Sequence, residues 1–320
     1  MENQNNRLLL IDTFFFLHRA FHSFPKEFMN SKGLHTNILF GFSKALLDSI
    51  SEFNPTHIVC GWESEELPSF RKTLYPDYQK NRMAMELDDE RIFSEQIPWV
   101  IKILDCFNIP RVTHNGFEGD DAIGTVASLA SKDADVIIVS SDQDMLQLVT
   151  DKIKVFRPGR PPFIPKQLFD EQAVFEKYSF TPIQMIDYKA LRGDPSDNIP
   201  GVKGIGEVTA KKLLTEFKTI ENIYENLDKV LPESVRKKLE TDKEKAFMSK
   251  QLATIITNIP MDFNLDSAIV HDFKIDKVQE IFNDLEFFSL KKDLDKLLKI
   301  KSIKEKLSEK VKEEKQISLF

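Results

Sequence analysis

The sequence predicts an α/β protein: a mostly parallel central sheet flanked by helices, running into a C-terminal helical region that carries a helix-hairpin-helix turn. Short apolar runs alternate with helical patterns through the first half, which is the rhythm of βαβ units. Acids stand at the ends of several of those runs, and from Phe180 onward the pattern is mostly helical.

Strands are expected over 7–11, 57–62, 109–113 and 136–140, and helices over 37–53, 92–107 and 120–131. Between Glu63 and Arg91 the apolar stripe fails, and Ser69-Phe70-Arg71-Lys72 leads into Tyr75-Pro76-Asp77-Tyr78-Gln79-Lys80-Asn81-Arg82. An exposed loop would read this way, and so would a surface on which Phe70, Tyr75 and Tyr78 stack unpaired bases while Arg71 meets phosphate. Farther on, Gly201-Val202-Lys203-Gly204-Ile205-Gly206 precedes a helix through Thr209-Ala210-Lys211-Lys212. Glycines there let backbone approach a phosphate at a helix start, and Lys203, Lys211 and Lys212 favour a duplex grip over a plain turn. After Leu298 the chain becomes rich in Lys and Glu, a charged helical extension or linker over 299–315. Gln316-Ile317-Ser318-Leu319-Phe320 ends in two large apolar residues, which suits a peptide inserted into a partner's pocket better than a solvated tail.

The totals set limits. At 320 residues, with 41% hydrophobic and 30% charged, the chain can bury a sizeable core. A formal charge of −7 argues against a simple basic nucleic-acid binder, although bound divalent cations would offset part of it. Cys60 and Cys106 are the two cysteines, without Cys-x-x-Cys spacing, so a zinc site is disfavoured and a reducing, cytoplasmic setting is expected. The start is polar, without a signal-peptide layout, and no apolar run approaches the ~20 residues that span a bilayer.

The acids carry the chemistry. Asp12 ends Leu8-Leu9-Leu10-Ile11, Glu63 follows His57 to Trp62, and Asp142 and Asp144 follow Val136 to Val139. Glu118-Gly119-Asp120-Asp121 opens a helix, and Asp194 and Asp197 lie in Gly193-Asp194-Pro195-Ser196-Asp197-Asn198. Acids in a first helical turn are favoured by the dipole alone. Several carboxylates at the carboxyl ends of parallel strands, however, meet where such sheets bind ligands and would repel one another unless cations neutralise them. An all-oxygen set suits Mg²⁺, with Mn²⁺ as a substitute. Nine candidate acids exceed one ion's needs, so two metals are expected, and such sites most often cleave or transfer phosphodiesters.

Together these residues make a recognisable pattern. The chain resembles the 5′-nuclease domain found at the N-terminus of bacterial DNA polymerase I and in flap endonucleases, over roughly 7–295. The resemblance is carried by Asp12 through Arg19-Ala20-Phe21-His22-Ser23-Phe24-Pro25, by Glu118 to Asp121, by Ser141-Asp142-Gln143-Asp144-Met145, and by Gly193 through Gly206. It implies a nuclease core over 1–180 with a helical arch at about 64–100, and a DNA-binding helical region over 181–298. It implies hydrolysis at DNA 5′ ends, flaps and nicks, in primer removal and repair. Asp12, Glu63, Glu118 and Asp120 would hold one ion; Asp142, Asp144, Asp194 and Asp197 would surround the other, with Asp121 close by. Arg19, Lys80 and Arg82 would orient the phosphate, and the glycine hairpin would grip the duplex and hold K⁺ through backbone carbonyls.

Two positions depart from the family pattern. Glu63 stands where Asp is usual, and the usual Tyr-Lys-x-x-Arg becomes Tyr78-Gln79-Lys80-Asn81-Arg82, which moves the lysine or removes its role. The last five residues are similar to the Gln-x-x-Leu-Phe peptide with which bacterial replication proteins bind the sliding clamp, through Gln316, Leu319 and Phe320. A free-standing, nucleoid-associated monomer recruited by the clamp is therefore expected. A catalytically weak junction-binding protein is the alternative, and an RNA-processing nuclease is disfavoured by the duplex-binding hairpin.

Overall fold

Leu8, Leu9, Leu10 and Ile11 form the middle of strand β1 (Asn6–Asp12), each at most 1% exposed. Consecutive buried side chains require cover on both sides of a sheet, which is why the run is apolar throughout rather than alternating. The computed structural model describes residues 6–64, 68–82, 84–159, 162–270 and 273–298. They fall into two compact units. One contains the described parts of Met1–Phe15, Thr56–Glu86 and Pro110–Ile269; the other contains those of Phe16–Pro55, Leu87–Ile109 and Val270–Phe320.

The first unit is built on a six-stranded sheet that adds β2 (His57–Gly61), β3 (Arg111–Val112), β4 (Ala134–Val139), β5 (Ile153–Arg157) and β6 (Gln167–Phe169). The order is β3-β2-β1-β4-β5-β6, and every pair is parallel except β5 with β6. Leu8 is in register with His57 on one side and Val136 on the other. The chain thus fills one side of β1 before crossing to the other, and the crevice beyond the carboxyl ends of β1 and β4 lies at a topological switch point. Helix Gly119–Ala130 buries Ile123, Val126 and Ala127 with Leu8, Leu10, Val59 and Val136. It lies so close to β2 that a Cβ on Gly61 would fall 2.4 Å from Ile123.

Helices Gln184–Arg192, Glu207–Phe217, Ile220–Glu225, Glu233–Thr241 and Lys243–Ala253 follow. Met185, Leu191, Leu214, Ile223 and Leu239 join the same core as the sheet. The sequence does not announce β5 and β6. They are short, and β6 matches β5 only through an antiparallel pairing that no local pattern reveals.

In the second unit, helix Asn37–Phe53 begins without a side-chain bond from its own N-cap, Thr36. Gln96 supplies it: its Oε1 accepts from Ile38 N at 3.1 Å while its Nε2 donates to Asn37 Oδ1 and Ile92 O, both at 2.9 Å. The helix expected over 92–107 is two, Leu87–Ser94 and Ile97–Cys106. Pro98 has no N–H to continue the preceding helix and suits the first turn of a new one. Helix Ile275–Asp284 places Phe282 against Phe107, and a last helix is described over 288–298. None of the described helices is long and apolar enough to cross a membrane.

Candidate metal centre

Each acid reaches the crevice for a local reason. Asp12 ends β1, and its Oδ1 accepts from Phe15 N at 3.1 Å while Oδ2 accepts from Ser140 Oγ at 2.6 Å. That same hydroxyl accepts from Asp142 N at 3.0 Å, so Ser140 ties the end of β1 to the loop leaving β4. Asp142 Oδ1 then accepts from Asp144 N at 2.8 Å, starting the short turn Asp144–Leu148. Glu63 lies two residues beyond β2. Glu118 caps helix Gly119–Ala130 in a reciprocal arrangement with Asp121, and Asp120 occupies the first turn.

Asp194 and Asp197 come from the turn after helix Gln184–Arg192. Asp194 and Ile199 exchange backbone hydrogen bonds at 2.9 and 2.8 Å, and Gly193 and Gly201 lie side by side at positive φ. A Cβ on Gly201 would fall 2.3 Å from Gly193 N, so this turn requires glycine. Asp194 Oδ1 accepts from Ser196 N at 2.9 Å and from Ser196 Oγ at 2.5 Å.

The segment after β2 is bound to these acids. Gln79 N donates to Asp197 O at 2.9 Å, Asn198 Nδ2 to Asp77 O at 2.6 Å, and Asn81 to Pro195 O. Tyr78 OH donates to Glu118 Oε2 at 3.2 Å, and Ser69 Oγ to Glu118 Oε1 at 2.7 Å. Arg71, Tyr78, Gln79 and Arg82 line one cleft with Glu118, Asp120, Asp142, Asp144 and Asp197.

The electrostatics follow from the crowding. Burial pushes Asp12 up to about 6 against the Ser140 bond, with Asp142 and Glu63 adding to the rise. Asp120 is held well above the carboxylate range by burial, then by Asp142, Asp12 and Glu118. Glu63 and Asp142, each open to solvent on one side, are also raised by desolvation; Glu118 raises Glu63 further, and Lys189 pulls Asp142 back. Burial works against Asp194 as well, but Lys189 and Ser196 prevail and hold it below the usual range. Asp120 makes no hydrogen bond or ion pair among the described residues. A carboxylate crowded by like charge and lacking a partner fits a cation, and the all-oxygen donor set fits a hard divalent one. Asp144, Asp194 and Asp197 each bring an oxygen within 4.8 Å of the others, which suits an ion there.

Asp121 is a different kind of acid. It is 0% exposed, takes both outer nitrogens of Arg71 at 2.7 Å and accepts from Ile256 N at 2.8 Å. Arg71 and Tyr78, read from sequence as contacts for a strand, face inward, because buried acids claim their donors. Phe70 and Tyr75 are half-buried, and Phe70 rests beside Phe117 with ring centroids 5.9 Å apart. Lys80 is exposed and pairs with Asp77 at 2.9 Å, whereas Gln79 lines the cleft. Arg82 reaches Asp197 at 2.6 Å. Arg19 lies on helix Thr13–Ser23, half-buried, in the second unit.

The glycine turn leads into helix Glu207–Phe217, with Lys203, Gly204, Gly206 and Lys212 exposed; Lys211 pairs with Glu207 at 2.7 Å. Gln316, Leu319 and Phe320 lie outside the described residues. Sequence reasoning missed Lys189, a buried lysine between Asp144 and Asp194. Within the sequence it is one cation among many, and only the fold brings Asp144 to it.

The known proteins this chain resembles point the same way. Residues 7–179 match the 5′-3′ exonuclease N-terminal resolvase-like domain, and residues 180–276 match the 5′-3′ exonuclease C-terminal SAM fold. A 5′-3′ exonuclease of Bacillus subtilis is 37% identical over 270 residues, covering 83% of this chain and 88% of that protein. DNA polymerase I of the same organism is 37% identical over 290 residues, 90% of this chain but 32% of the polymerase, so the chain spans about a third of that relative's length. Among solved structures, the bacteriophage T5 flap endonuclease in a complex with DNA and metal ions superposes with a TM-score of 0.63 at 22% identity, covering 92% of this chain and 99% of the phage protein. With both parts of the family matched in order, the chain belongs to the 5′-3′ exonuclease family.

Proposed function

We propose that this protein is a divalent-metal-dependent 5′ nuclease that hydrolyses DNA phosphodiesters at free 5′ ends, flaps and nicks. One observation carries the reading: acids from three separate chain segments, Glu118 with Asp120, Asp142 with Asp144, and Asp197, line a single cleft, and the Asp120 carboxylate is left there without a hydrogen-bond or ion-pair partner among the described residues. Asp12, Glu63, Glu118 and Asp120 would hold one ion, and Asp142, Asp144, Asp194 and Asp197 the other, preferentially Mg²⁺. When bound, such ions activate water and neutralise charge on phosphoryl oxygens. The chain's own part is to position the phosphate: Arg82 opens toward solvent from the rim of the cleft, and Arg19 and Lys80 are the further cations assigned to the strand.

The duplex would be gripped by the glycine turn, with Lys203 and Lys212 exposed beside it. K⁺ held by the turn's carbonyls belongs to the same proposal, although the Gly204 carbonyl already accepts from Lys238 Nζ at 3.0 Å. The biological setting we assign is primer removal and repair in the bacterial cytoplasm, with recruitment by the sliding clamp through Gln316, Leu319 and Phe320. Deleting Gln316 to Phe320 should weaken retention on immobilised clamp and leave cleavage of naked DNA unchanged; equal retention refutes the recruitment.

A Mg²⁺-dependent assay on a 5′-labelled flap tests the central proposal. Asp142→Asn should abolish product while junction binding in Ca²⁺ persists, and near-normal cleavage by this variant would sink it. The exposed placement of Lys80 and the neutral Gln79 at the cleft favour the second reading, a junction binder of weak activity. Binding without product in the unaltered chain would select that reading.

A further inference from the structure

The two halves of the acid cluster are balanced differently. Around Asp12, Glu63, Glu118 and Asp120, the cation in contact among the described residues is Arg71, 3.5 Å from Glu118 but committed to Asp121. The other half is already partly neutralised by the chain. Lys189 Nζ contacts Asp144 and lies 2.6 Å from Asp194 Oδ2, and Arg82 Nη2 is 2.6 Å from Asp197 Oδ1. Two positive charges thus face three carboxylates whose oxygens lie within 4.8 Å of one another. Lys189 is 6% exposed, whereas Arg82 is open to solvent.

We propose that Lys189 is a built-in counter-cation that holds Asp144 and Asp194 together in place of a divalent ion, so that this half of the centre loads only when the lysine is displaced. The proposal rests on the nuclease reading and adds an order of loading to it. A buried ammonium is retained only where carboxylates pair with it, and those carboxylates stay close only while something positive lies between them. A divalent ion entering the trio meets this charge at contact range, where repulsion is strong in a poorly hydrated site. The half around Asp120 has, among the described residues, only Arg71 in contact, already held by Asp121, and fills first.

The displaced ammonium needs a new anion. Lys189 sits in the last turn of helix Gln184–Arg192, on a flexible four-carbon stem. A phosphate in the cleft offers that anion, so substrate and second ion enter together. Lys189 is in this sense a positioning residue, acting through the acids it releases. A centre built this way stays half-loaded when no strand is present.

Counting Mn²⁺ bound to the full chain without DNA, by electron paramagnetic resonance, tests the idea. The unaltered protein should bind one Mn²⁺ at least ~10-fold more tightly than the next, and Lys189→Met should tighten the second step by ~10-fold or more while leaving the first alone. A measurement on the unaltered chain guards against misfolding of the variant. Acylation of Lys189, read by mass spectrometry, should be suppressed in chelator and rise at saturating Ca²⁺. Two equal Mn²⁺ steps in the unaltered protein, an unchanged second step in Lys189→Met, or acylation indifferent to Ca²⁺ would each overturn the counter-cation role. Absence of any Mn²⁺ binding would instead overturn the nuclease reading beneath it.

Discussion

Arg71 and Asp121 form a two-bond pair in which Nη1 and Nη2 each reach one carboxylate oxygen at 2.7 Å, and both side chains are buried. The guanidinium also donates from Nε to Leu252 O at 2.8 Å and from Nη2 to Thr254 O at 2.6 Å. One arginine therefore joins the segment after β2, the helix that presents Glu118 and Asp120, and the C-terminal end of helix Lys243–Ala253. Arg71→Ala would leave a buried carboxylate without its counter-charge, a loss of about 3–5 kcal/mol. Arg71→Lys should not restore stability, because an ammonium lacks the planar fork. Urea unfolding checks this; a loss below about 1 kcal/mol would contradict the keystone role.

The raised carboxyls give the metal-free protein a particular pH dependence. Asp12 holds its proton up to about 6 when folded, against an ordinary value of 3.8. The folded chain therefore binds protons more tightly than the unfolded one, and stability falls as pH rises from about 4 to 6 before levelling. Asp120, Asp142 and Glu63 shift in the same direction, whereas Asp194 is lowered and loses stability only in more acidic solution. In chelator, melting should therefore occur at a lower temperature at pH 7 than at pH 5. Mg²⁺ should raise the melting temperature more at pH 7, since binding to the folded state alone stabilises it. An equal increment at both pH values would contradict the crowding of these acids.

What could be read from the chain was whatever is local. Leu8 to Asp12, Val136 to Asp144 and Glu118 to Asp121 announce strand, loop and helix start within a few residues, so β1, β4 and the start of helix Gly119–Ala130 follow. The inward turn of Arg71 was hidden, because its partners Asp121 and Leu252 stand 50 and 181 residues away. Lys189 was hidden for the same reason, since Asp144 precedes it by 45 residues of chain that says nothing of their contact. Charge pairing across the fold also separates Asp121, a satisfied acid, from Asp120, an unsatisfied one, though the two are neighbours in sequence.

Glu63 reaches solvent and lies beyond β2, with Gly119 in ordinary contact range of its Cγ, where an added Cβ would sit 3.5 Å away. Its carboxylate therefore has freedom that a shorter side chain would lack. Glu63→Asp should shift the Mg²⁺ concentration for half-maximal cleavage, while Glu63→Gln should raise that concentration by ~10-fold through loss of a charged ligand. Titration of cleavage rate against Mg²⁺ decides, and an unchanged midpoint in Glu63→Gln would remove this residue from the metal set.

The cations of the segment after β2 should differ in importance according to where the fold puts them. Lys80 is exposed and shares its charge with Asp77 at 2.9 Å, an arrangement in which solvent screens most of the interaction. Gln79, at φ 58, lines the cleft. Arg82 is held by Asp197 at 2.6 Å and lines the same cleft. Lys80→Ala should therefore slow cleavage by less than ~10-fold, and Arg82→Ala by ~100-fold or more, the scale set by loss of a positioned charge at a reacting phosphate. Gln79→Lys should accelerate cleavage by placing an ammonium where the cleft now has a neutral amide. Single-turnover rates on a 5′-flap substrate check all three. If Lys80→Ala proves the most damaging, the strand must draw Lys80 into the cleft on binding, and the resting geometry does not set the order.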